Sequence, residues 1–418
     1  MRTAEWVWEI RTEFPALSRE IEGKVPVFLD GPGGSQVPRR VLEAMAAAMI
    51  EASANTHGAF PTSRRLDALI AEARQAAADL VGASPEEIVF GPNMTTLTFH
   101  ISRAIGRILR PGDEIVVTRL DHDANVAPWL ALEERGAVIR WVDFHPEDGT
   151  LDLEGLARAL SERTRLVAVG YASNALGTVN PVRRIVEMAH AVGAWVYVDA
   201  VHAAPHLFID VQELECDFLV CSAYKFFGPH VGFLYGRADR LTALRPYKVR
   251  PAPDQPPEAF ETGTQNHEGL AGLIAAVDYL ADLGRRFGNP INPSQRAAIR
   301  AAMERIREHE RALCARLLEG LEEIPSVTVY GIRTMERWSE RVPTLSFRAK
   351  KWDPREIATA LGQKGIYVWD GNFYALGVTE RLGLEGQGGL VRVGALHYNT
   401  LEEVNRFLET LHRLLSRK

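Results

Sequence analysis

Between about residues 60 and 240 the apolar positions change spacing again and again, from three- and four-residue steps to short unbroken runs. Leu66, Leu69, Ile70, Ala73, Ala77, Leu80 and Val81 follow the first spacing. They predict an amphipathic helix over 62–82, closed by Gly82, because glycine takes the left-handed turn that ends a helix. Runs at 88–91, 114–118, 138–142, 166–172, 194–199, 217–222 and 231–236 follow the second. Apolar on both faces, they predict a mostly parallel sheet of seven strands covered by helices. The proline cluster at 251–257 and the Gly-Asn-Pro-Ile-Asn-Pro stretch at 288–293 break this rhythm. Beyond the second break the pattern predicts a long helix over 294–321, strands at 344–347, 366–368 and 390–393, and helices at 355–364 and 400–415. The chain is thus an α/β protein with a large domain at 26–290 and a smaller C-terminal α/β domain at 291–418. Residues 1–25 are expected to pack with the latter.

Composition narrows the possible partners. The 418 residues are 46% hydrophobic and 24% charged, enough for a large core and against disorder. A net charge of −6 without like-charge blocks provides no footprint for nucleic acid or an anionic membrane, so a small or polar partner fits better. No run reaches the roughly 18–20 apolar residues of a membrane span, and Glu5, Glu9 and Glu13 interrupt what would be the apolar part of a signal peptide. Cys216, Cys221 and Cys314 are too few for a disulfide framework and wrongly spaced for zinc, so a reducing, cytoplasmic location is expected.

Two features suggest chemistry. Asp199 ends the strand AWVYVD, and Lys225 follows the next strand in CSAYKFFGP. In parallel sheets ligands lie beyond the carboxyl ends of strands, which puts both side chains at one site. An amine and a carboxylate so placed suit pyridoxal phosphate, the amine as Schiff-base former and the acid as partner of the ring nitrogen. A surface lysine and a helix-capping aspartate would read the same way. The second feature is Gly91-Pro-Asn-Met-Thr-Thr, which leaves a strand and opens a helix. Free N–H groups there bind phosphate, with the Thr95 and Thr96 hydroxyls as further donors; an ordinary threonine N-cap is the alternative. Other cofactors fare worse. In Gly31-Pro-Gly-Gly-Ser-Gln the third glycine of a dinucleotide fingerprint is Gln36, Pro205 breaks the helix that would align His202 and His206 on zinc, and no GxSxG surrounds Ser222.

VFLDGPGGS, ASANTHG, the MTT helix start, RLDHDANVAPW, ASNALGTVNP, VDAVHAAPH, CDFLVCSAYKFFGP and ETGTQN resemble, in order and spacing, the class V aminotransferases of PLP fold type I. Cysteine desulfurases and selenocysteine lyases are the nearest in pattern, and the resemblance runs from about Val27 to the final helix. It implies a homodimer that binds pyridoxal 5'-phosphate and acts on an amino acid. Lys225 would be the Schiff-base lysine, Asp199 the partner of the pyridine nitrogen, and His122 the residue stacked on the ring. Asn174 and His202 would lie near the phenolic oxygen, with His202 where desulfurases usually carry glutamine. Thr95, Thr96 and Ser222 resemble the phosphate ligands, and Tyr224 replaces the usual histidine before the lysine. Thr264 matches the threonine that a neighbouring subunit contributes. Arg392 in LVRVG matches the arginine that holds the substrate carboxylate, a task suited to a planar guanidinium fork. Asn174, His57 and Tyr374 complete the expected substrate residues.

One departure matters for the reaction. Where desulfurases carry an arginine and, five residues later, the cysteine that takes up sulfur, this chain reads Trp369-Asp-Gly-Asn-Phe-Tyr374. A phenol forms no persulfide; it can donate a proton, but packing is the expected role for Tyr374. The expected activity is therefore an aminotransferase or a C–S/β-lyase on a bulkier or less polar amino acid than cysteine. A desulfurase using another cysteine and a silent binding module are the alternatives.

Overall fold

The computed structural model describes residues 3–416. Its centre is the seven-stranded sheet, ordered 88–91, 232–236, 218–222, 195–199, 164–170, 114–118 and 138–142. Only Gly232–Gly236 runs antiparallel to its neighbours. The inner strands 114–118, 218–222 and 232–236 are buried along their whole length, and 164–170 and 195–199 along all but one residue each, as their apolar runs require. By contrast, Val138–Val142 forms an edge with Val138 and Trp141 exposed.

Helix Pro61–Val81 ends at Gly82, whose φ of 79° is the left-handed conformation expected there. Helix Gln295–Glu322 starts at Ser294, which caps it by accepting from the Ala297 N–H. Its first half joins the core of the large sheet, and its second half, from Leu313 onward, joins the core of a smaller one. That smaller antiparallel sheet is ordered 327–330, 344–349, 390–394 and 369–371. The expected strand at 366–368 instead pairs in parallel with Val27–Phe28, apart from that sheet.

The N-terminal helix Glu5–Arg11 touches both regions. Trp6, Val7 and Ile10 enter the main core, while Arg11 reaches Glu403 and the Tyr398 carbonyl. Among the described residues no helix is long and apolar enough to cross a membrane.

Candidate active site

A cavity of about 1080 Å³ opens at the carboxyl ends of the parallel strands, between the large sheet and the 369–374 segment of the smaller one. Asp199 is the last residue of Trp195–Asp199, and its Oδ1 accepts from the Val201 N–H at 2.9 Å. Burial raises its pKa to about 6, against the opposing pull of the Lys225 charge. Lys225 closes the short turn Ala223–Lys225 after the next strand. Its Nζ donates to the Pro32 carbonyl at 2.5 Å and lies 4.8 Å from the Tyr224 ring centroid. Burial, reinforced by the Arg392 charge, lowers this amine to about 7, so much of it is neutral at neutral pH.

His122 is held by its own backbone, Nδ1 accepting from the Ala124 N–H at 3.0 Å. Burial, with the charges of Lys225 and Arg392, lowers its pKa to about 4, which leaves an uncharged ring in the cavity. Asp121 beside it was not singled out from sequence. It accepts from the Thr118 hydroxyl and from Asn125 Nδ2, and burial, with the Asp199 charge adding, pushes its pKa up to about 7. Gly170 makes room for it, since a Cβ there would stand 3.0 Å from Asp121 Oδ1.

Helix Met94–Ile105 is capped by Asn93, whose Oδ1 accepts from the Thr96 N–H at 2.9 Å. The threonine N-cap reading is thereby corrected: a better cap stands one residue before the helix. Thr95 and Thr96 line the cavity instead. Ser222 Oγ accepts from the Met94 N–H at 2.9 Å and ties this helix start to the lysine-bearing strand. Gly232 permits the approach, because a Cβ there would press on the Asn93 backbone.

Arg392 projects from Leu390–Gly394 and is buried. Nη1 donates to the Asn174 carbonyl at 2.9 Å, and the guanidinium carbon lies 4.3 Å from the Phe373 ring centroid. Burial lowers its pKa to about 9, still cationic at neutral pH. Asn174 Nδ2 donates to the Phe373 carbonyl at 2.9 Å. Asp30, a charge at the end of an apolar run in VFLDGPGG, is a second residue the sequence reading passed over. Burial raises it to about 6, with Arg392 and Lys225 opposing.

His202 lines the cavity and shares a hydrogen bond with Thr344 Oγ1 at 3.0 Å. His206 pairs with Glu310 at 2.8 Å inside the core. Among the described residues no group of three His, Cys, Asp or Glu side chains is placed to hold a metal. Tyr224 lines the cavity and stacks on His230, centroids 5.0 Å apart. Two expected residues stand apart. His57 is exposed and held by Asp67, and Thr264 is exposed; neither lines the cavity of its own chain. The packing expected of Tyr374 is also corrected. It is 73% exposed and lies near-parallel to His122, with centroids 5.5 Å apart. Its backbone explains this, since the Tyr374 carbonyl accepts from the Asp123 N–H and points the side chain to the cavity mouth.

The cavity fits pyridoxal phosphate. Beside a low-pKa lysine, a strand-end acid and a capped helix start, Asn174 Oδ1, Asn180 Oδ1 and Arg392 Nε are buried without a protein partner. Fold and site together define a pyridoxal phosphate enzyme of fold type I. The family model for class V aminotransferases matches residues 27–290 and 294–407. A cysteine desulfurase of Pectobacterium carotovorum is 33% identical over 97% of this chain and 98% of its own. A probable cysteine desulfurase of Synechocystis is 34% identical over 96% and 94%. Among solved structures, apo cysteine desulfurase from Thermococcus onnurineus superposes with a TM-score of 0.86 at 30% identity, covering 100% of this chain and 99% of that one. An S-sulfonic acid form of an Escherichia coli cysteine desulfurase gives 0.83 at 26% identity, covering 98% of each. The chain belongs to the class V aminotransferase family and is a pyridoxal phosphate-dependent enzyme.

Proposed function

We propose that the enzyme acts at the Cα of an amino acid as an aminotransferase or a C–S/β-lyase, rather than as a persulfide-forming desulfurase. The observation that carries this is the combination at the 369–374 segment and in the core. By the sequence resemblance, Tyr374 stands where desulfurases carry the sulfur-accepting cysteine, and Cys216, Cys221 and Cys314 are all buried. Burial raises all three thiols well away from the thiolate form that attacks sulfur.

Pyridoxal phosphate, when bound, supplies the electron sink that lets a bond at Cα break. Lys225 would hold the cofactor through its amine and would serve as the base that moves the proton at Cα, a task its near-neutral pKa suits. Asp199 is ionised at neutral pH and would keep the ring nitrogen protonated. His122 would offer an uncharged ring face, Asn174 and His202 polar contacts, and Thr95, Thr96, Ser222 and Tyr224 the phosphate site. Arg392 would take the substrate carboxylate. Thr264 and His57, exposed outside their own cavity, fit a homodimer in which each copy completes the other's site. Three free cysteines accord with a reducing, cytoplasmic setting.

The test is a panel of amino acids scored separately for keto acid, sulfide, ammonia and inverted substrate. Keto acid or free sulfide without protein-bound persulfide supports the reading. A protein persulfide abolished by Cys221→Ala would establish a desulfurase instead, and binding of cofactor with no response to any amino acid would leave only a binding module.

A further inference from the structure

We propose that Phe373 is a positioning residue, which through its ring and its carbonyl fixes how Arg392 meets a substrate carboxylate and how Asn174 Oδ1 meets a donor on the same substrate. The inference rests on the reading that Arg392 takes that carboxylate. Neither group is free to turn. Arg392 commits Nη1 to the Asn174 carbonyl at 2.9 Å, and one face of its guanidinium lies 4.3 Å from the Phe373 ring centroid. What remains is the edge shared by Nε and Nη2, and Nε is buried without a partner. That edge is a planar fork, the shape that accepts a carboxylate bidentately.

Asn174 is fixed from the same residue. Its Nδ2 donates to the Phe373 carbonyl at 2.9 Å, and a carbonyl can only accept, so the amide has one orientation. Its Oδ1 is then left buried and unpartnered, on the same residue whose backbone carbonyl takes Arg392 Nη1, and both residues line the cavity. Phe373 reaches both groups because its backbone is held in the left-handed region. Phe373 has a φ of 58° and Tyr374 one of 57°, two successive non-glycine residues in a conformation that neither prefers. The segment is anchored by the Asp123 N–H, which donates to the Tyr374 carbonyl at 2.6 Å, and by the Tyr374 N–H, which donates to Asn372 Oδ1 at 3.1 Å. A planar fork and a buried acceptor lining one cavity suit a ligand that carries both a carboxylate and a donor, as an α-amino acid does and a simple amine does not.

The experiment titrates the pyridoxal phosphate-loaded protein with each of the twenty L-amino acids, following cofactor absorbance. The tightest amino acid and the amine lacking its carboxylate are then carried into the variants. Phe373→Ala is expected to weaken the amino acid about tenfold and the amine less than about twofold, the size of a desolvated cation–π contact. In an Arg392→Ala background the same substitution is expected to change amino-acid binding by less than about twofold. Should Phe373→Ala not fold, Phe373→Leu, which keeps bulk and carbonyl but lacks the aromatic face, is expected to weaken the amino acid at least about threefold and to spare the amine. Equal losses for amino acid and amine, or an undiminished loss without Arg392, would overturn the proposal. A wild-type response that Phe373→Ala and Phe373→Leu leave unchanged sinks this inference and spares the proposed function. No response of wild type to any amino acid sinks both.

Discussion

The two walls of the cavity are built on different terms. The sheet-edge wall carries Asp199, Lys225 and His122 at strand ends or in the turns after them, Asp199 buried and the other two half-buried, each shifted away from its ordinary pKa. The opposite wall is the 369–374 segment with Arg392. There Trp369 is 50% and Tyr374 73% exposed, and order comes from a few hydrogen bonds and a strained backbone. Burial can set protonation only where water is excluded, so the first wall can tune acid and base strength. The half-exposed 369–374 segment cannot do that, and Arg392 beside it, though buried and lowered to about 9, stays cationic at neutral pH, so this wall chiefly imposes shape. Reaction chemistry and substrate choice are therefore separable in this molecule, and substitutions should separate them.

The largest effect should come from the sheet-edge wall. Lys225→Ala removes both the amine that anchors the cofactor and the base at Cα, so turnover should fall by about a thousandfold or more. Loss of the visible cofactor band, and of borohydride fixation, checks it. If Lys225→Ala keeps near wild-type turnover, the division of labour between the walls is wrong.

Asp199 offers a test in the unloaded protein. Its pKa is raised from 3.8 to about 6, so the folded state binds the proton more tightly than the unfolded chain does. Below about pH 4 both states are protonated and nothing is lost; above about pH 6 the folded state carries the full cost of a buried charge. Two pH units correspond to about 3 kcal/mol. Asp199→Asn can still accept from Val201 but never ionises. Its stability relative to wild type should therefore rise by roughly that amount between pH 4 and pH 8, measured by urea unfolding of cofactor-free protein. A difference that stays flat with pH would mean that the strand-end acid is better solvated than its burial implies.

Legibility followed the same division. Asp199 and Lys225 could be read because a strand end projects its side chains to a known place, and apolar runs locate strand ends. Asp121 was missed although it lies next to His122; only the register that sets Gly170 beside Asp199 shows why a second acid fits there. The 369–374 segment was less legible still. Nothing in Asn-Phe-Tyr announces two left-handed residues, because their φ values are imposed by Asp123 and Asn372 rather than by propensity. Helix 294–321 was readable as a helix but not as a member of two cores, since periodicity reports which face is buried and not against what.

Arg392→Lys probes the wall formed by the 369–374 segment and Arg392. Lysine keeps the charge but has no fork, so the substrate concentration for half-saturation should rise about ten- to a hundredfold while turnover at saturation changes much less. Steady-state kinetics on the best amino acid would show this split. A fall in turnover alone would place Arg392 with the chemistry instead of with recognition.

The smallest effect should come from Tyr374→Phe. Among the described residues the Tyr374 hydroxyl makes no hydrogen bond, and the ring that meets His122 is unchanged by the substitution. Stability should move by less than about 0.5 kcal/mol, as for most exposed positions. Turnover should stay within about twofold, because the hydroxyl has no protein partner among the described residues and the proposed proton transfer at Cα is assigned to Lys225. The pH profile gives the sharper comparison. If the phenol delivers a proton to a leaving group, Tyr374→Phe would cut turnover at least about a hundredfold, with amino-acid binding unchanged and the alkaline limb of the profile displaced. That outcome would move Tyr374 from the wall that selects to the wall that reacts, and a lyase with a phenolic acid would then be the reading to prefer over an aminotransferase.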